Sequence, residues 1–162
     1  MYPWLAFVHL LGLFGFLLAH GASSSAAFAL RGERNLESVR ALLELSANSY
    51  GVMYGALLVL LVGGIWAGVL GQWWGRAWIW VSVILLIVIL GAMAGLGSRT
   101  YGEVRKAVGL PYFEGMKQQP GLEPAGADEI NGLLAKGNPF LLTLIGYGGL
   151  ALIAWLMMFK PF

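Results

Sequence analysis

The first apolar run, Tyr2 to Leu30, carries no formal charge yet holds both histidines of the chain, His9 and His20. A run of that length can cross a bilayer, which needs about 20 apolar residues. Inside lipid every backbone polar group must be paired within the segment, so the run is predicted to be an α-helix. Imidazoles are costly there and are expected to face another helix, a cavity or a ligand rather than acyl chains. Eleven positions separate the two rings. That spacing is about three turns, so both rings fall on one face, roughly 16 Å apart along the axis. Gly12, Phe16, Ser23 and Ala27 are predicted to project within about 60° of that line.

Composition places the rest of the chain in the same setting. Of 162 residues 59% are hydrophobic and only 11% charged, whereas soluble domains average about 25% charged. An integral membrane protein follows. The net charge of +2 is explained by orientation in the membrane and gives no reason to expect a nucleic-acid partner. The absence of cysteine removes disulfides, thiolate metal sites, iron–sulfur clusters and a thiol nucleophile. Residues Ala22 to Ala29 look like a small-residue cleavage region. No Lys or Arg precedes the run, which is about twice a signal-peptide core in length, so it is read as a retained span.

Four spans are predicted in a single membrane domain, residues 1–162: Pro3 to Leu30, Ser49 to Leu70, Ala77 to Gly97 and Phe140 to Met158. Pro3 suits a first helical turn. Between the first two spans, Leu36, Val39, Leu43 and Ala47 share one side of an amphipathic stretch that Asn35 is placed to cap. Helical ion pairs are expected from Glu37 to Arg40 and from Arg40 to Glu44. Gly51-x-x-x-Gly55, Gly64-x-x-x-Gly68 and Gly91-x-x-x-Gly95 predict close helix packing within the bundle. Gly102 to Val108 is read as a continuation of the third helix. Pro111, Pro120 and Pro124 are expected to break regular structure, and Ala127 to Lys136 to form a short helix.

The connections at 31–48 and 98–138 hold Arg31, Arg34, Arg40, Arg99, Arg105, Lys106, Lys117 and Lys136, against Arg76 and Lys160 on the other side. By the positive-inside rule both termini are then outside, in a multi-pass protein of the inner (cytoplasmic) membrane. This topology brings all seven tryptophans to the outer interface. There they anchor the rim or mark contact with a partner or an aromatic cofactor.

The candidate site is the histidine stripe. Imidazole can ligate a tetrapyrrole metal, shuttle a proton, hydrogen-bond a quinone or pair with a neighbouring helix. Bis-histidine ligation of two haems is excluded, since there is no third histidine. One haem with a His and a Met ligand remains open, with Met53, Met93, Met157 and Met158 as candidates by type. A chlorophyll-type pigment on His9 or His20, beside Phe16, remains equally open. No acidic residue falls in any span, which argues against a carboxylate proton path or an ion-coupled transporter. The Ser23-Ser24-Ser25 cluster has no base nearby and reads as packing.

An aromatic residue before Phe7-Val-His-Leu-Leu-Gly-Leu-Phe-Gly15, then Arg31-Gly-Glu-Arg34 and Leu61-Val-Gly-Gly-Ile-Trp66, resembles a superfamily of small four- or five-helix membrane proteins. It includes an uncharacterised predicted integral membrane family, the copper-resistance D-type membrane domain and the membrane protoporphyrinogen oxidase of bacteria. The first of these fits best, over about residues 2–70. The resemblance implies haem b on the first-span histidine, here His9, and gives His20 and the serine cluster no counterpart. Two functions are expected from these readings together. One is an accessory subunit of a membrane redox or photosynthetic complex, surrounded by lipid and other membrane subunits. The other is an independent haem-b oxidoreductase of tetrapyrrole metabolism.

Overall fold

The computed structural model describes residues 2–115 and 117–162, the Tyr2 side chain excepted. In chain order it contains α1 (Tyr2–Gly32), α2 (Leu36–Leu70), a 3₁₀ turn (Trp73–Gly75) and α3 (Ala77–Ala107). There follow β1 (Tyr112–Glu114), β2 (Lys117–Gln119), α4 (Ala127–Lys136), α5 (Pro139–Thr143), a π-helical segment (Leu144–Gly148) and α6 (Gly149–Phe159). The first three helices, and the run from α4 to α6, are long and apolar enough to cross a membrane. The chain is therefore an all-α bundle of four spans, and its outward residues, such as Leu18, Leu58, Ile84 and Ile87, are exposed and suited to lipid.

The helices outrun the expected spans. At 35 residues, α2 is about 52 Å long, well beyond a hydrocarbon core of about 30 Å. The amphipathic stretch and the second span are one helix. Asn35 caps it, its side chain accepting from the Glu37 and Ser38 N–H groups. The protruding ends pack as a water-soluble domain would: Leu30, Val39, Leu43, Val104, Val108, Ile130 and Leu134 form a buried cluster. The Glu37–Arg40 ion pair forms at 2.9 Å. The expected Arg40–Glu44 pair does not. Arg40 instead donates through Nε to the Val108 carbonyl at 2.8 Å, and Glu44 receives Arg105 at 2.8 Å. Carbonyls left open at the end of α3 attract the cation more strongly than the neighbouring helical turn does.

The end of α3 is a Schellman turn. Leu110 N–H returns to the Arg105 carbonyl and Gly109 N–H to Lys106, with Gly109 at φ +80, where a side chain is strained. Beyond it the segment expected to be irregular holds a short antiparallel hairpin, Tyr112 opposite Gln119. The three prolines lie outside its strands, which keeps their missing N–H groups out of the ladder. The short helix predicted at 127–136 is present as α4.

The spans associate as two pairs, α1 with α2 and α3 with the α4–α6 run. α1 meets α4 and α5, α2 approaches α3 only sparsely, and α1 makes no close backbone approach to α3 or α6 among the described residues. The pairs are thus joined at the charged pole, where α1 meets α4 and α5, and again near the termini, where Gly68 packs on Trp74 and Ile79. Six of the glycines expected to tighten the bundle divide sharply on this geometry. Gly64 packs on His9, and Gly68 on Trp74 and Ile79. Gly51, Gly55, Gly91 and Gly95 meet nothing within 4 Å and face away from the bundle. Spacing alone does not say which side of a helix has a neighbour.

Candidate functional site

On α1, Gly12 lies so close to α2 that an added Cβ would stand 2.5 Å from Leu60 N and 2.7 Å from its Cα. This approach sets His9 against α2. His9 Nδ1 lies 2.7 Å from the Leu60 carbonyl oxygen. That oxygen only accepts, so Nδ1 carries the proton and donates. In the tautomer so fixed Nε2 is the acceptor, and no hydrogen bond joins it to a described residue. Gly64 completes the seat, since a Cβ there would stand 2.9 Å from the ring's Cε1 and Nδ1. A backbone carbonyl fixing one nitrogen while the other stays available is the arrangement that prepares histidine as a ligand.

The His9 ring lines a cavity of about 120 Å³ between the two helix pairs. Phe16, Leu60, Trp74, Ile79, Ile153 and Met157 are among its walls. Ser82 also lines it, but its hydroxyl donates to the Trp78 carbonyl at 2.9 Å. Among the lining residues Leu61 and Ile65 of α2 are themselves exposed, as is Ala154 of α6, so the cavity reaches the lateral surface of the bundle. The lining is apolar but for the His9 ring and the Ser82 hydroxyl, a pattern small-molecule pockets share. A macrocycle exceeds this volume: ligand pockets for larger molecules run to about 300–1,000 Å³, and about 150 Å³ takes a single benzene ring.

His20 is placed elsewhere. Both histidines lie on α1, as predicted for the first span, but their neighbours differ. His20 is 6% exposed, with Phe16 at 6.0 Å and Tyr147 at 4.8 Å between ring centroids. Its Nε2 is buried without a hydrogen-bond partner and packs on Gly146 so closely that no Cβ could be accommodated there. No room remains at that nitrogen for a metal in this arrangement. Gly146 belongs to the π-helical segment, a feature the sequence reading missed. The cluster Gly146-Tyr-Gly-Gly149 was its available signal, because glycine lets a wider turn form and a ring lie on backbone. His20 therefore joins the helix pairs, and His9 faces the space between them.

Met53 and Met93 are half-buried and line no part of the cavity, while Met157 does and Met158 is exposed. The serines pack, as expected: Ser23 and Ser46 hydroxyls are 2.8 Å apart across the α1–α2 contact. At the pole carrying the termini, Trp73 and Trp78 are 5.6 Å apart between ring centroids, and Lys160 Nζ lies 4.2 Å over Trp73. Trp74 turns inward as a wall of the cavity, while Trp4, Trp66, Trp80 and Trp155 are exposed. Compared with protein-family models, curated proteins and solved structures, the chain matches none.

Proposed function

We propose that this is a small accessory subunit of a membrane redox assembly, which holds a lipophilic cofactor or substrate beside α1 with His9 as the anchoring group. The observation that carries the reading is the His9 seat. Nδ1 is tied to Leu60 at 2.7 Å, and Nε2 is left uncommitted on the wall of an apolar chamber. The outward glycines of α2 and α3 support the subunit half of the reading. Gly51, Gly55, Gly91 and Gly95 leave flat helix faces with no partner within this chain's described residues, and such faces suit close approach by another helix. The basic residues of the two long connections support placement in the cytoplasmic membrane with both termini outside.

A second reading, a haem-b protein of tetrapyrrole metabolism, draws on Met157 sharing the cavity with His9. That donor set suits a haem iron, but the volume does not, and the helix pairs must part before a macrocycle enters. Purification in mild detergent, with a visible spectrum and a census of retained subunits, tests both. Retained membrane partners support the first reading; recovery of this chain alone removes it. A Soret band lost in His9→Ala supports the second, and a colourless preparation from haem-replete cells removes it.

A further inference from the structure

The proposed reading leaves the ligand's chemistry open, and the cavity narrows it. Resting on that reading, we infer that the site takes a membrane-dissolved lipid headed by a single six-membered ring bearing a hydroxyl, a quinol or phenol, whose O–H donates to His9 Nε2. Three observations converge. The first is polarity: the Leu60 carbonyl fixes Nδ1 as donor, so the free nitrogen accepts, and its complement is a hydroxyl rather than a carbonyl. The hydroxyl on the described cavity lining, that of Ser82, already donates to the Trp78 carbonyl.

The second is size. At about 120 Å³ the cavity is on the scale of a single ring, about 150 Å³ for benzene in an engineered core, and its open side takes what the chamber does not hold. Phe16 and Trp74 supply flat walls against which such a ring stacks. The third is access. Between the His20–Gly146 contact and the Gly68–Ile79 contact, α1 makes no close backbone approach to α3 or α6 among the described residues. Leu61 and Ile65 of α2 and Ala154 of α6 line the cavity and are exposed, so it opens laterally along seams beside these two helices. A hydrocarbon tail attached to the ring leaves through a seam into the acyl chains and never has to be desolvated. A polar metabolite gains nothing from these walls.

The test uses the full chain in mild detergent, titrated calorimetrically with a short-tailed hydroquinone, the matching alkylphenol and the hydroquinone dimethyl ether. The ether keeps ring and tail but has no donor. The ether is expected to bind about tenfold more weakly than the hydroquinone, the worth of one buried hydrogen bond, and His9→Ala to erase that preference. Ala154→Phe, which fills a seam, is expected to weaken the hydroxylated probes at unchanged helicity, a control against misfolding in His9→Ala. Equal binding of hydroquinone and ether overturns the inference, as does a preference that survives His9→Ala. Binding of hydroquinone and alkylphenol alike assigns any phenol head; hydroquinone alone assigns a quinol. A His9-dependent Soret band without hydroquinone binding overturns this inference but leaves His9 as a lipophile anchor. Hydroquinone binding by a chain that purifies alone removes only the subunit reading.

Discussion

Replacing Gly12 by alanine adds one methyl group, yet the structure leaves it no room. The new Cβ would stand 2.5 Å from Leu60 N, where ordinary contact begins at 3.4 Å. Both atoms are on helix backbone, so no side chain can swing aside, and α1 and α2 must part by about 0.9 Å, the gap between those two distances. A separation of that size forfeits about a quarter to a half of the dispersion attraction across the contact. It also stretches the 2.7 Å bond from His9 to Leu60 past the range of a hydrogen bond, about 3.2 Å. Overpacking of about 1–3 kcal/mol and a lost hydrogen bond of about 1 kcal/mol, less the roughly 0.5–1 kcal/mol by which alanine favours a helix interior, give a net destabilisation of about 1–3 kcal/mol. Gly51→Ala and Gly91→Ala are the controls: nothing lies within 4 Å of either added Cβ. Alanine is the better helix former by about 0.5–1 kcal/mol, so these two are expected to be neutral or stabilising. Reversible unfolding in mixed detergent micelles, followed by far-UV circular dichroism, measures all three. A neutral Gly12→Ala, or a costly Gly51→Ala, refutes the pairing of α1 with α2 described above.

Two further outcomes follow from the loops at the charged pole. Gly109→Ala places a side chain at φ +80 and a Cβ 2.6 Å from the Leu122 carbonyl. It is expected to cost about 1–2 kcal/mol from the left-handed backbone alone, and to speed proteolysis between Leu110 and Pro124 relative to wild type. In the α1–α2 connection the Glu33 carboxylate accepts from the Asn35 and Arg34 backbone N–H groups, at 2.9 and 2.8 Å. These bonds, with the nearby Arg34 charge, hold its carboxyl below the usual carboxylate range. Its contribution to stability is therefore complete above the ordinary glutamate pKa and is lost as pH falls through the lowered value. Glu33→Gln should remove that acid-side dependence in unfolding measured as a function of pH, and an unchanged profile counts against it.

The sequence by itself determined the four spans, because lipid leaves a hydrophobic segment of that length only one way to pair its backbone. It also determined the Asn35 cap and α4, since capping and amphipathic spacing act over a few residues. The tertiary structure alone decided what each span presents to the others. Gly64 and Gly51 sit on one helix in similar small-residue patterns, and only the approach of α1 makes the first a contact and leaves the second bare. The same holds for the histidines: an eleven-residue spacing predicts one face for both, but α2 claims His9 and the π-helical segment claims His20. Glu44 likewise turned from its helical neighbour Arg40 to Arg105, sixty-one residues away. Periodicity describes a helix relative to its own axis. Which neighbour stands on each side depends on how several helices pack at once, and no single segment encodes that.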